Sequence, residues 1–217
     1  MEDVLDVYTT APDPARPLVC LDEFSKQLLS EVVEPIAPRP CEGNASGQPR
    51  RYDAEYIREG SASAFMLAMP HLGKREVFVG EDGRRTSLDY AEAIEHLCDN
   101  LFPEAEKIVV VMDNLNTHNE ASLYKRFAPG KARRLAAKLE VHYTPKHGSW
   151  LNMAEIEISL LSRSALGKRI ASLGEFREIA LANVARRNQT PHPIQWQFTS
   201  EDARIKLARF YPDLPPV

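Results

Sequence analysis

The sequence predicts an α/β fold, a mixed sheet flanked by helices, and three observations carry that expectation. The first third holds short apolar stretches separated by turn residues, "RPLVCLDEF" (16–24), "KQLLSEVV" (26–33), "SASAFMLAMP" (61–70) and "REVFVG" (75–80), which read as antiparallel strands. "KIVVVMDN" (107–114) is a continuous apolar run, as suits a strand buried on both faces of a sheet. Beyond residue 86 helical and strand-like segments alternate, which adds parallel strands to the same sheet.

Taken in order, 16–24 and 26–33 read as a hairpin, with Asp22 near the end of its first strand. Residues 34–53 are rich in Pro, Gly and polar side chains and read as a long loop insertion. His71 to Lys74 form the turn between the next two strands. "TSLDYAEAIEHLCDNLFP" (86–103) is a helix: Thr86 or Ser87 caps it, Leu88, Ala91, Ile94 and Leu97 keep helical spacing, and Pro103 closes it. The run 107–114 ends in Asp113. "EASLYKRF" and "GKARRLAAKLE" are helical, "VHYTP" is a short strand, and 152–166, 172–189 and 200–211 are further helices. "IQWQF" (194–198) reads as a short strand or an extended tie. The expected organisation is a linker over 1–15, one domain over 16–190, and a C-terminal tie and helix over 191–217 packed on that domain.

With 217 residues and 43% hydrophobic side chains, the chain can bury a sizeable core. No segment has the length and apolarity of a membrane span, and the acidic start "MEDVLDVYTT" lacks a signal-peptide profile. Cys20, Cys41 and Cys98 form no CxxC pair, which points to a reducing cytoplasm without structural zinc. The net charge of −4 is unevenly spread: residues 1–60 and 61–123 each carry −6, residues 124–169 carry +7, and the remainder +1. The basic block, with Lys131, Arg134 and Lys138, suits either a polyanion or a plain solvated helix face.

The stretch "YTPKHGSWLNMAEIEISLLSR" (143–163) sets a carboxylate question. Asn152 with Glu155 three residues on has the form of a capping box, and Leu151 with Ile156 that of a hydrophobic staple. Such a cap is worth roughly 0.5–2 kcal/mol and needs no chemistry. The other reading joins Glu155 to Asp22 and Asp113. A carboxylate at the end of a buried strand is costly unless paired, hydrogen-bonded or on a metal. Three such acids converging would offer the hard oxygen donors that Mg²⁺ or Mn²⁺ takes, and two ions could activate a water or 3′-hydroxyl and stabilise a leaving oxygen. Each acid also has a local alternative, Asp22 as a turn or edge residue and Asp113 in an Asx turn.

The motifs "VCLDEFSKQLL" (19–29), "VVVMDNLNTHNEASLY" (109–124), "LEVHYTPKHGSWLNMAEIEISLLSRSAL" (139–166) and "WQFTSEDARIKLARFYP" (196–212) resemble the DDE transposases of the mariner-like superfamily, in the bacterial insertion sequence 630 family. The resemblance spans nearly the whole chain. It implies an RNase H-like sheet and an acidic triad of Asp22, Asp113 and Glu155, the last two separated by 42 residues. Glu155 rather than Glu157 takes the third place because it follows Asn152 by three. It implies Mg²⁺, with Mn²⁺ as substitute and two ions, as cofactor. Its partner would be DNA, both transposon ends and target, with a possible homodimer in the DNA complex and a nucleoid-associated location.

The resemblance places Asn114, Asn116 and His118 in the second-acid motif, where they would orient Asp113 or a phosphate. His118 could equally cap or pack at the following helix. His147 could touch a phosphate, and Trp150 could stack on a base, although the first reading of Trp150 is a core side chain wedged under the helix. His142 reads as structural. Lys131, Arg134 and Lys138 would neutralise phosphates near the acids. Relatives begin with helix-turn-helix modules, and 21 residues before Asp22 leave no room for one. The expectation is therefore a catalytic domain without its end-recognition half. The alternative is an inactive or regulatory remnant that binds DNA or full-length transposase.

Overall fold

Strand β1 (Leu18–Glu31) forms the spine of a five-stranded sheet. The computed structural model describes residues 1–40, 47–114, 119–146 and 148–211, without the Phe210 side chain. β1 pairs antiparallel with β2 (Tyr56–Met69), which pairs antiparallel with β3 (Lys74–Phe78). On its other side β1 runs parallel to β4 (Ile108–Met112), and β4 runs parallel to β5 (Leu139–Tyr143). The order β3-β2-β1-β4-β5, antiparallel then parallel, is the RNase H-like sheet that the resemblance implied.

One sequence expectation for this region is corrected. Residues 16–24 and 26–33 do not form a hairpin with each other. They belong to one 14-residue strand whose partner is β2, with Asp22 opposite Met66. Ser25 alone separates Phe24 from Lys26, too short a link for a hairpin turn, and Phe24 and Leu28 continue a single buried stripe. A bulge interrupts the pairing between Leu28 and Leu29, opposite Gly60, whose φ of 102° is accessible to glycine and strained for other residues.

Seven helices flank the sheet among the described residues. α1 (Glu2–Thr9) occupies the segment read as a linker and buries Val4, Leu5 and Tyr8. α2 (Ser87–His96) starts at the expected Thr86, which forms a capping box with Asp89, and passes into a π turn over Leu97–Leu101. α3 (Glu120–Arg126) and α4 (Pro129–Lys138) follow β4. α5 (Ala154–Ser164), α6 (Leu173–Asn188) and α7 (Ser200–Lys206) complete the set. No helix among the described residues is long and apolar enough to cross a membrane. The stretch 194–198 is an extended tie rather than a strand. Ile194 N donates to Pro70 O at 2.9 Å, and Trp196 packs on Tyr8 with ring centroids 5.0 Å apart.

Successive strand side chains point to opposite faces, so the sheet divides the core in two. Leu18, Cys20, Phe24 and Leu28 of β1 and Val111 of β4 pack with Leu5, Met153, Leu161 and Phe176. Val19 and Leu21, with Ile108, Val110 and Met112, pack with Tyr90, Ile94, Leu123 and Leu135. By the same alternation Asp22 follows the first set and lies on the face covered by α5. Asp113 comes one residue after β4 ends.

Candidate active site

The register brings the two aspartates together. β1 and β4 pair through Leu18–Val109, Val19–Val110 and Cys20–Val111. Two residues further on come Asp22, still within β1, and Asp113, one residue past the end of β4, whose charge acts on the Asp22 carboxyl. β4 ends at Met112 while β1 continues against β2, so the sheet opens beside Asp22. Asp22 thus lies within its strand rather than at its end. What ends there is the neighbouring strand, and such a gap at the carboxyl end of a parallel pair is where α/β sheets place ligands.

α5 carries Glu155, whose charge acts on the Asp22 carboxyl. The side chain of Asn152 anchors its start: Nδ2 donates to Leu21 O at 2.8 Å and lies 3.3 Å from Asp22 Oδ2, while Oδ1 accepts from Ala154 N at 3.1 Å. The expected capping box is absent. The residue at the helix N-cap is Met153, whose own side chain makes no cap hydrogen bond; Asn152 Oδ1 takes the Ala154 N–H instead, and Glu155 is exposed. The staple is absent too: Leu151 is fully buried while Ile156 is 43% exposed. The reason lies in Asn152, which is buried and spends its amide on β1, drawing the chain inward before the helix begins.

Glu155 and Glu157 have different surroundings. Glu157 is buried and engaged by Arg75 and Arg187. Glu155 is exposed, and its charge reaches Asp22. Burial pushes the Asp22 carboxyl up to about 6, and the nearby charges of Asp113, Glu155 and Glu23 act in the same direction. The Glu23 N–H, donating to Asp22 Oδ1 at 2.8 Å, opposes them. Asp22 is therefore a partly buried carboxylate in a field of like charge, a situation that a divalent cation relieves. Among the described residues no three His, Cys, Asp or Glu side chains stand at metal-ligand spacing. Mg²⁺ needs only one or two carboxylates, with waters and substrate phosphate filling the rest of its shell. By the chemistry of its donors, the residue set fits such an ion.

The remaining candidates divide. Asn114 is exposed directly after Asp113. Asn116, His118 and His147 lie outside the described residues. Trp150 is not the core residue first expected: it is 50% exposed and meets Phe198 edge-on, ring centroids 6.1 Å apart. Its neighbour Leu151 takes the buried position instead, and its carbonyl accepts from Tyr8 OH at 2.6 Å. His142 is a tie, its Nδ1 2.8 Å from Asp3 Oδ2 on α1.

The basic block is largely occupied within the protein. Lys131 pairs with Glu95, and Arg134 makes a two-pronged contact with Asp99 at 2.7 and 2.8 Å. Lys138 Nζ donates to the carbonyls of Cys98, Phe102 and Pro103 at 3.0, 2.6 and 2.7 Å, satisfying the end of the π turn. These three were expected to contact DNA, and each has an internal partner on α2 or the π turn. Arg133 and Lys146 are exposed and make no ion pair among the described residues. Sequence reading also missed the role of Asn152 toward Asp22, because its spacing to Glu155 already had a complete local explanation.

The sheet order, antiparallel strands followed by parallel ones, is that of an RNase H-like fold. The sequence profile of the DDE superfamily endonucleases matches residues 17–177, and the chain belongs to that family. No curated protein matches it. Among solved structures it is similar to the Mos1 mariner paired end complex with Mn, at 13% identity and a TM-score of 0.48 over 86% of this chain and 57% of that one. It is similar also to the Mos1 strand transfer complex, at 13% identity and a TM-score of 0.46 over 81% and 52%. The chain thus spans just over half the length of those proteins.

Proposed function

We propose that the chain is the catalytic domain of a mariner-like transposase of the insertion sequence 630 type, cutting and joining DNA strands by in-line phosphoryl transfer. The observation that carries this reading is the carboxylate Asp22, partly buried where β4 ends and sensing both Asp113 and Glu155. Membership of the DDE endonuclease family supports it.

Asp22 and Asp113 would hold divalent ions between neighbouring strands, and Glu155 would complete one site from α5. Mg²⁺, or Mn²⁺ in its place, supplies the Lewis acidity that a pair of ions brings to attacking and leaving oxygens. The chain's own work is positional. β1 carries Asp22 and β4 leads into Asp113, Asn152 holds the start of α5 against Leu21 and Asp22, and burial keeps bulk water from one side of Asp22. Trp150, exposed four residues before α5 begins, offers a face on which a base can stack. Asn114, with Asn116 and His118, would orient Asp113 or a phosphate, and His147 would touch a DNA phosphate. Lys131, Arg134 and Lys138 could still add to the field felt by phosphate while keeping their internal partners. Transposon ends and target DNA are the proposed substrates, a homodimer the proposed assembly on DNA, and the bacterial cytoplasm the setting.

A second reading is a regulatory remnant that binds DNA or full-length transposase. Nicking of supercoiled DNA with Mn²⁺ separates the two. The enzyme reading expects nicking by the wild type and its loss in Asp22→Asn, Asp113→Asn and Glu155→Gln alike. A wild type that binds DNA without nicking it favours the regulator.

A further inference from the structure

α5 carries two acids in its first turn, and they point in opposite directions. At about 100° per residue, positions 155 and 157 differ by about 200° around the helix. Glu155 is exposed, whereas Glu157 is 4% exposed. The Glu157 carboxylate lies between two guanidinium groups. Arg75 of β3, itself 3% exposed, sets Nε at 2.9 Å from Oε2 and donates from Nη2 to Oε1 at 3.3 Å. Arg187 of α6 pairs with Oε2 and donates from Nη2 to Oε1 at 3.4 Å.

Further contacts fix the cluster in place. Arg75 Nη2 donates to Gly73 O at 2.9 Å. Asn188 Oδ1 accepts from Arg75 N at 3.1 Å, and Asn188 Nδ2 donates to Arg75 O at 2.7 Å. Three elements, β3, α5 and α6, thus meet at one buried carboxylate. Two positive charges against one negative is a poor arrangement for stability alone, since apolar side chains of similar volume often stabilise such a site as well or better. What a cluster of directional contacts does provide is orientation.

Resting on the metal-site reading above, we infer that the Glu157–Arg75–Arg187 cluster is a positioning device for Glu155: it sets the rotation of α5 about its axis and so aims Glu155 at Asp22 and Asp113. Asn152 pins the start of the same segment to β1. Two anchors, one at the start of the segment and one on its buried side, leave the turn that bears Glu155 little freedom to roll. Glu157, Arg75 and Arg187 touch no reacting atom and act only through the helix.

The test uses the whole chain and two variants. Arg187→Met leaves a neutral Glu157–Arg75 pair and removes the tie to α6. Arg75→Met/Glu157→Leu/Arg187→Met replaces the cluster by apolar side chains. Mn²⁺ binding is followed by loss of the free-ion EPR signal, nicking by the Mn²⁺ concentration for half-maximal rate, and folding by thermal melting. The expected result is a variant that melts as a folded protein yet needs about tenfold more Mn²⁺ for half-saturation, the scale typical of residues supporting metal ligands. The maximal nicking rate should fall as well. Should the triple variant fail to fold, Arg187→Met decides, with the same direction of change expected. A folded variant with wild-type Mn²⁺ binding and nicking overturns the inference while leaving the metal site intact. A wild type that neither binds Mn²⁺ nor nicks DNA overturns the site reading, and this inference with it.

Discussion

Asn152 Nδ2 donates to the carbonyl of Leu21 at 2.8 Å and stands 3.3 Å from Asp22 Oδ2, so one buried amide joins the helix bearing Glu155 to the strand bearing Asp22. Its Oδ1 simultaneously accepts from Ala154 N. Asn152→Ala would leave a buried carbonyl and a buried N–H without partners. The expected cost is about 1–3 kcal/mol, measured by urea unfolding. Nicking should fall further than this destabilisation explains, because the acids lose their common anchor. A stability loss with unchanged nicking would restrict Asn152 to folding.

Asp22 sets a pH dependence with a defined sign. Its carboxyl titrates at about 6 in the folded metal-free protein, against about 3.9 when unfolded. A group raised by folding contributes stability that is complete below its unfolded value and is lost as the pH rises through its folded value. Asp22→Asn should therefore stabilise the metal-free protein by about 1–3 kcal/mol at pH 8, and by much less below pH 5. An amide facing the Asn152 amide offsets part of the gain. Millimolar Mn²⁺ should reverse the order, since only the wild type gains from binding. Urea titrations at the two pH values, with and without Mn²⁺, check both statements. Equal stabilities throughout would remove Asp22 from the metal site.

Lys138 tests whether the basic block belongs to the fold or to the DNA. It donates to three carbonyls at the end of the π turn. Lys138→Ala should cost about 1–3 kcal/mol of stability. It should leave the slope of DNA affinity against salt concentration unchanged. A slope reduced by about one unit would return Lys138 to phosphate contact.

Trp150 is the opposite case. Half-exposed and touching Phe198 by its edge, it should be replaceable by Ala at a cost of less than about 1 kcal/mol. Single-stranded DNA should quench wild-type tryptophan fluorescence and spare that of Trp150→Ala, whose remaining tryptophan, Trp196, packs on Tyr8. Stacking predicts about 1–3 kcal/mol of lost affinity. Unchanged affinity would assign Trp150 to contact with Phe198 alone.

These residues also show what was legible in the sequence. The apolar run 108–112 gave β4, and Thr86 with Asp89 gave the start of α2, because burial and capping act locally. The length of β1 was not legible. A polar stretch such as Ser25–Lys26–Gln27 reads as a turn unless its pairing with Ser61–Ser63 is known. Asn152 and Glu155 fit a local capping box, yet the folded chain uses only the Asn152 half, its Oδ1 taking the Ala154 N–H while its Nδ2 goes to Leu21. The same holds for Lys131, Arg134 and Lys138, whose acidic and carbonyl partners lie about 35 residues earlier in the chain. Trp150 and Leu151 are neighbours of similar apolarity, and which of them is buried depends on how the chain turns into α5.

Whether Asp22, Asp113 and Glu155 act as one metal site is decided by anomalous diffraction from crystals of the protein with Mn²⁺ and a DNA duplex. Manganese is expected between Asp22 and Asp113, with Glu155 a ligand of one ion. Manganese bound elsewhere, with the Glu155 carboxylate turned away from Asp22 while DNA is in place, would contradict it.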